Sequence, residues 1–451
     1  MHNTDIRILR VRAEFSPQPF RVPLMLSSGP IRECLYAHVE VEAENRDGAR
    51  AVGVGGVYLS DLWAFPGTGA TSAQKAGAMK EAAERLARRL EEAGGHRDAM
   101  QWGRFLDEEL DAVLAEAQQA LALPLPIPRL AGLVACAPLD AAVHDAWGKA
   151  AGMDCYAMYG ERFLNEDLSR DLGSAWRGSW PGDGLADAPR RRAAVQHVVG
   201  TDDPLTALDA QGRERPDDGL PFTLEEWIAA ERIFALKIKS KGYDAKEIAE
   251  RIRDVHRAAE LAASRCGVAE PVRLSLDPNE AFPHPDPLVE LLRRLKEKAP
   301  DAFRALEYIE QPTPRDLSRY DFTLHEASAL KPVIIDESLD RLERLEALRE
   351  QGWSGVALKV CKGQTHSLAA YAFARRHGLF VTVQDMTNAG MAHVQSVNLY
   401  SRLAVSAEVY EFNSRQYTPF ARPETRERYP SLFRVEDGRI STADIRGEGL
   451  Y

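Results

Sequence analysis

From about residue 234 onward, short apolar strands alternate with helical stretches, which predicts an α/β protein built on a parallel β/α barrel. Two further observations support that class. Residues 6–60 read instead as an antiparallel meander, a separate α+β region in front of the barrel. Three successive barrel strands also end in a carboxylate, and a barrel carries its chemistry at the C-terminal ends of its strands. A doubly wound open sheet is the alternative, but it requires a glycine-rich phosphate loop after its first strand, and the sequence has none.

The elements follow in order. Residues 6–15, 35–43 and 52–57 alternate as strands, with Asn45-Arg46-Asp47-Gly48 as a turn. Two loops are expected at 24–30 and 58–67, carrying Met25, Tyr58, Trp63 and Phe65, side chains suited either to line a pocket or to pin a loop. Helices are predicted over 73–93 (capped by Thr71-Ser72 and ended by Gly94-Gly95), 104–121 and 131–151. His144, inside the third helix, reads as structural. Residues 165–192 and 202–220 are irregular and polar, either surface loops or segments that cover a site. Barrel strands are expected at 193–199, 234–239, 272–276, 306–309, 333–335, 355–360, 379–383 and 407–411. Helices are expected between them at 222–232, 244–265, 286–298, 317–328, 339–351, 365–377 and 389–403.

Composition excludes several functions. The net charge is −11 and the basic residues fall in short clusters such as Arg190-Arg191-Arg192, which offers no surface for nucleic acid. No stretch approaches the roughly 20 apolar residues of a membrane helix. The polar start, Met1 to Asp5, has no signal-peptide core. The five cysteines are scattered without a CxxC frame, as expected of reduced thiols in a cytoplasmic protein.

The candidate site starts from Phe234-Ala235-Leu236-Lys237-Ile238-Lys239. Lys237 and Lys239 share one face of a strand, and two adjacent ammonium groups are expected to lower each other's pKa, as a lysine base requires. A surface strand with alternating lysines is the plainer reading of that pattern alone. The next strand ends are Asp277, Glu310, and Asp336 with Glu337, followed by Lys359. Each acid by itself could be a helix cap, but three converging carboxylates repel unless a cation lies among them. Hard oxygen ligands suit Mg²⁺, or Mn²⁺ as a substitute. A carboxylate substrate on such a metal becomes acidic at its α-carbon, and Lys239 and Lys359 face each other across the barrel to move that proton.

The order Lys-x-Lys, Asp-x-Asn, Glu-Gln-Pro, Asp-Glu-Ser and Leu-Lys-Val resembles the strand-end series of the enolase superfamily, within it the mandelate racemase/muconate lactonizing enzyme family. The resemblance covers nearly the whole chain. It implies a modified (β/α)7β TIM-like barrel (131–419) with an α+β capping domain (1–130, completed by about 420–451), the segment Glu436 to Ile440 folding back onto the cap. It implies Mg²⁺ ligands at Asp277, Glu310 and Asp336, acid/base lysines at Lys239 and Lys359, and Lys237 tuning Lys239. Asn279 and Glu337 become supports that orient the ligands. A His-Asp dyad is missing: the seventh strand ends in Val383-Gln384-Asp385-Met386, and His393 lies in the following helix, where it packs or caps. The two-lysine, muconate lactonizing enzyme-like branch therefore fits better. The eighth strand ends in Glu411-Phe412-Asn413 and lacks the Asp-x-Asp of dipeptide epimerases. Candidate substrate contacts are Tyr58, Trp63, Gln384, Asp385, Glu411 and Asn413. The expected function is abstraction of the α-proton of a small carboxylate through an enediolate, as a racemase or epimerase. A lyase (dehydratase or cycloisomerase) is the alternative, and a non-catalytic binding protein on the same fold the remote one. A homo-oligomer is the expected assembly.

Overall fold

The computed structural model describes residues 1–26, 29–319, 321–445 and 447–451. The N-terminal sheet is β1 (Ile6–Leu26), β2 (Gly29–Asn45) and β3 (Arg50–Leu59), antiparallel in that order. β1 runs well beyond the predicted 6–15. Pro17, Pro19 and Pro23 interrupt its alternation, yet it pairs with β2 on one side only, where missing N–H groups are tolerated; the register slips between Pro19 and Leu24. The predicted loop 24–30 is therefore the end of a hairpin, with Met25 opposite Pro30. Its Ser27 and Ser28 lie outside the described residues.

Four helices complete this region: α1 (Asp61–Ala64), α2 (Ser72–Glu92), α3 (Ala99–Ala120) and α4 (Arg129–Ala151). Thr71 and Gln74 cap α2 reciprocally. The same device at Asp98 and Gln101 starts α3 five residues before the predicted boundary of 104. β3 lies directly on α4. A Cβ on Gly53 would meet the Ala142 carbonyl oxygen at 2.0 Å, so glycine sets the distance between sheet and helix.

The barrel comprises β4 (Arg192–Val199), β5 (Ala235–Lys239), β6 (Arg273–Asp277), β7 (Leu306–Glu310), β8 (Val333–Ile335), β9 (Gly355–Leu358), β10 (Phe380–Val383) and β11 (Val409–Glu411). All neighbours are parallel, and β11 closes on β4 with Val409 opposite Ala194. The helices between strands are Leu224–Glu231, Ala245–Arg265, Asp286–Lys298, His325–Leu330, Leu345–Glu350, Gln364–Arg376 and Met391–Arg402, giving a (β/α)7β barrel with an α+β cap. A short helix, Pro300–Ala305, was not foreseen. The helices predicted at 317–328 and 339–351 shorten to single turns preceded by 3-10 turns, Leu317–Arg319 and Leu342–Arg344. Along β5, Leu236 and Ile238 join the core beneath the helices. Ala235 faces inward with Phe234, Tyr308, Ile334, Ala357 and Val409 to fill the barrel floor.

The C-terminal segment departs from expectation. Glu436 to Ile440 does not fold onto the cap: Asp437-Gly438 turns a hairpin whose strand β12 (Arg439–Ser441) pairs antiparallel with β4. Gly438, at φ +69°, accepts from Val195 N (2.8 Å) and donates to the Glu231 carbonyl (2.7 Å), which fastens the turn beneath the barrel. The final residues do reach the N-terminal sheet, where the Tyr451 hydroxyl donates to the Val54 carbonyl (2.8 Å). Residues 165–192 pack outside the barrel, with Trp176 stacked on Phe373 at 6.0 Å. Residues 202–220 tie instead to the β1–β2 hairpin, where Arg21 Nη2 donates to Asp218 Oδ1 at 2.9 Å.

Candidate active site

A small pocket opens at the C-terminal ends of the barrel strands. Lys237, Lys239 and Lys359 line it together with Asp385, Glu411 and Asn413; Trp63, Ser60 and the hairpin residues Phe20, Leu24, Ile31 and Cys34 complete the wall, with Met386 and Thr387. Leu24 belongs to the segment 24–30 expected either to line a pocket or to pin a loop; Phe20, Ile31 and Cys34 had no role in the sequence reading, because tertiary packing and not a local pattern brings them here.

Lys237 lies one inward position below Lys239, about 7 Å along the strand. Its ammonium is buried among Glu310 Oε2 (2.8 Å), Glu411 Oε2 (2.9 Å) and Asp277 Oδ2 (3.1 Å), and also donates to Gln384 Oε1 (3.3 Å). Burial works against its charge, but Glu310, Glu411 and Asp277 outweigh it and hold its pKa well above the ordinary lysine value. This corrects the expected depression at Lys237, where the surrounding carboxylates raise the pKa. Lys239 donates to Asp277 Oδ2 (2.5 Å) and Asn279 Oδ1 (3.0 Å). Across the barrel, Lys359 donates to Asp336 Oδ2 (2.6 Å) and Glu310 Oε1 (3.2 Å), and its ammonium stands 5.0 Å from the centre of the Trp63 ring. Here too burial opposes the charge, while Asp336 and Glu310 keep the pKa raised.

Glu310 is the shared acid, reaching Lys237 with one oxygen and Lys359 with the other. Burial would raise Asp277 and Asp336, but the lysines around them hold both below the ordinary carboxylate range. Among the described residues no three His, Cys, Asp or Glu side chains gather about one point as they stand. The ammonium groups lie between the acids. Three buried carboxylates on neighbouring strand ends are nevertheless a hard-oxygen donor set that fits Mg²⁺, once those ammonium groups give way to it.

The supporting residues hold strained backbone. Asn279 and Glu280, just after β6, have φ of +43° and +66°, and Gln311, just after β7, has +33°. Asn279 N donates to Asp277 Oδ1 (3.0 Å). The Gln311 side chain accepts from the backbone N–H groups of Asp336 (3.0 Å) and Ser338 (3.2 Å), fixing the β8 turn. Glu337 accepts from Trp63 Nε1 at 2.9 Å. Burial, reinforced by Asp336 and Glu280, raises its pKa well above the usual range. Arg315 pairs with Glu280 and donates to the Trp63 carbonyl (2.9 Å), binding α1 to the barrel. Glu280, Gln311, Arg315 and Lys362 had no role in the sequence reading. Their partners are backbone groups or distant side chains; for Lys362 alone, the spacing Lys359-x-x-Lys362 was a usable signal.

The remaining candidates divide. Gln384 Nε2 donates to Glu310 Oε2 (2.5 Å), so it braces the shared acid. Glu411 accepts from Asn413 Nδ2 (3.0 Å) as well as from Lys237. Asp385 accepts only weakly compensating backbone bonds, from Asn388 N (2.7 Å) and Ser414 N (3.3 Å); burial, with Glu411 nearby, pushes it up to about 8. Tyr58 is not on the pocket wall: it belongs to β3, wholly buried, with its ring edge-on to Tyr36 at 5.4 Å. His393 packs, as expected, with its nitrogens on the Tyr410 hydroxyl (3.1 Å) and the Leu432 carbonyl (2.9 Å).

Comparison with known proteins accords with this fold. The family model described as enolase C-terminal domain-like matches residues 222–450, just over half the chain. No curated protein matches. Among solved structures, a mandelate racemase/muconate lactonizing protein from Herpetosiphon aurantiacus aligns with 100% of this chain and 99% of its own at 18% identity, TM-score 0.60. A muconate lactonizing enzyme from Pseudomonas fluorescens, complexed with muconolactone, aligns over 100% and 96% at 15% identity, TM-score 0.58. A dipeptide epimerase from Enterococcus faecalis V583, complexed with Mg and the dipeptide L-Leu-L-Tyr, aligns over 90% of each chain at 17% identity, TM-score 0.55. At these identities the structures speak for the shared fold. With the matched domain, the closed barrel and the series of strand-end acids and lysines, the chain belongs to the enolase superfamily, in the mandelate racemase/muconate lactonizing enzyme family.

Proposed function

We propose that this protein abstracts the α-proton of a small carboxylate substrate by way of an enediolate, in the two-lysine manner of the muconate lactonizing enzyme-like branch, and that its first activity is racemisation or epimerisation. The observation that carries this reading is the placement of Lys239 and Lys359 on opposite walls of one pocket, each against a different acid of the Asp277–Glu310–Asp336 series. Asp277, Glu310 and Asp336 would hold Mg²⁺, which when bound draws electron density from the substrate carboxylate and so acidifies the neighbouring C–H. Lys239 is the base on one face. Its side chain is 9% exposed, the most open of the three lysines, and Asp277 and Asn279 aim it. Lys359 returns the proton from the other face, and Trp63 and Asp336 fix its tip. The hairpin wall of Phe20, Leu24 and Ile31 excludes water from the carbanion.

One observation favours a second reading. Lys359 shares two carboxylates that hold it protonated, which suits a group acting only as an acid or as a fixed charge. In that case Lys239 alone moves the α-proton, and the reaction is a lyase reaction, dehydration or cycloisomerisation. Incubation with a carboxylate panel and Mg²⁺ in D₂O tests the proposal. Deuterium at the α-carbon of inverted substrate supports the first reading, and an unsaturated or cyclised product the second. No exchange in any member of a broad panel, from protein shown to bind Mg²⁺, would count against both.

A further inference from the structure

One buried cation has no place in that reaction. Lys362 is 3% exposed and comes from the 3-10 turn Val360–Lys362 that follows β9. Three residues per turn bring its side chain back over that of Lys359. Both lysines then close on the same residue: Lys359 Nζ on Asp336 Oδ2 at 2.6 Å, Lys362 Nζ on the Asp336 carbonyl oxygen at 2.5 Å and 3.1 Å from Oδ1. The turn itself is anchored from outside the barrel. Asp140 of α4 accepts from Thr365 N (3.0 Å) and Thr365 Oγ1 (2.7 Å). Gly363 stands between them at φ +106°, and a Cβ there would lie 3.0 Å from Asp140 Oδ2.

We infer that Lys362 is a positioning residue for the carboxylate of Asp336, the clamp that connects helix α4 to the metal-ligating end of β8. The inference rests on the proposal that Asp336 is a Mg²⁺ ligand. Its physical basis is that Asp336 lies just past the end of β8, Val333–Ile335, so its carbonyl has no strand partner and is held by Leu339 N (2.9 Å) and Lys362 instead. Gln311 fixes the N–H side of Asp336; Lys362 hydrogen-bonds its carbonyl and stands 3.1 Å from the far carboxylate oxygen, an ion pair without a hydrogen bond. With the carbonyl hydrogen-bonded and Oδ1 drawn toward the same ammonium, the Asp336 carboxylate is oriented ahead of any cation. Without that hold, a cation must order the ligand as it binds.

Metal binding by the full chain tests this without reference to turnover. Free Mn²⁺ is followed by its electron paramagnetic resonance signal, with Mg²⁺ as competitor, after treatment with a chelator. Lys362→Met is expected to weaken Mn²⁺ binding about tenfold or more, the usual effect of losing a group that orients a ligand. Lys362→Arg, which keeps a cation on the same turn, is expected to bind within about threefold of the wild type. Circular dichroism and Tm establish that each variant folds; if the Met variant does not, Lys362→Gln replaces it with the same expectation. Wild-type affinity in the neutral variant, or an Arg variant as weak as the neutral one, overturns the inference. Asp336→Asn in the same assay separates the two levels. If it binds as the wild type does, the ligand assignment fails and takes this inference with it. If it loses binding while Lys362→Met does not, the inference alone fails.

Discussion

Replacing Lys239 with methionine removes an ammonium and keeps most of the side-chain volume. The structural cost follows from its contacts. Asp277 Oδ2 loses its 2.5 Å partner but keeps Lys237 at 3.1 Å, so the buried carboxylate is not left unpaired. The loss is then two hydrogen bonds from an ammonium, to Asp277 and to the more open Asn279, about 1.5–3 kcal/mol of stability each at most, without the further penalty of an orphaned buried charge. The catalytic cost is larger. A positioned general base contributes about 10²- to 10⁴-fold, so turnover and α-proton exchange should fall by that factor. Affinity for Mg²⁺ should persist, because Asn279 N (3.0 Å) and Lys237 (3.1 Å) still orient the Asp277 carboxylate. The assay is α-deuterium incorporation by mass spectrometry on substrates found active with the wild type, with calorimetry for the metal. The partner variant Lys359→Met sharpens the outcome. In a racemase it should suppress exchange from one antipode and leave exchange from the other; in a lyase it should slow product formation without touching Lys239-dependent exchange. Wild-type exchange in the folded Lys239→Met protein would refute the base assignment.

Other perturbations probe the surrounding charges and packing. Glu310→Gln removes the charge shared by Lys237, which keeps Glu411 and Asp277, and Lys359, which keeps Asp336; it is expected to cost about 1.5–3 kcal/mol in urea unfolding and to abolish Mg²⁺ binding by calorimetry. Asp385→Asn tests the buried carboxyl held at about 8. Because the folded state binds this proton more tightly than the unfolded chain, the group's stabilisation is complete below about pH 4 and is lost as pH rises toward 8. The variant should therefore gain on the wild type across that window, by at most on the order of 5 kcal/mol, and level off above it; a Tm difference independent of pH would contradict the assignment. Gly53→Ala places a methyl against the Ala142 carbonyl oxygen and should lower stability by about 1–3 kcal/mol, read as a drop in Tm.

The strand-end acids and lysines were legible before any coordinates because each follows a short apolar strand whose end is a local signal. Asp277, Glu310, Asp336 and Lys359 needed only the alternation of strand and helix to be placed at one mouth. The β1 extension was hidden by its prolines, and the C-terminal hairpin by its shortness: Arg439–Ser441 is three residues, too few to carry a period. Tyr58 read as a loop aromatic because the predicted strand stopped at 57, whereas β3 runs on to Leu59; the glycines at 53, 55 and 56 let α4 and Tyr36 approach that strand.

The sequence by itself therefore determined the barrel, its cap and the order of the charged groups around the mouth, since these follow from periodicity and from residues adjacent to strand ends. The tertiary structure decided which charges meet. Lys237 pairs with Glu411 across 174 positions of chain, and this contact, with Glu310 and Asp277, turns an expected depression of its pKa into an elevation. It also brought Lys362 onto Asp336 and the β1–β2 hairpin over the pocket. Electrostatic energy depends on distance through space, and a strand-end residue carries no local record of what will face it once the barrel has closed.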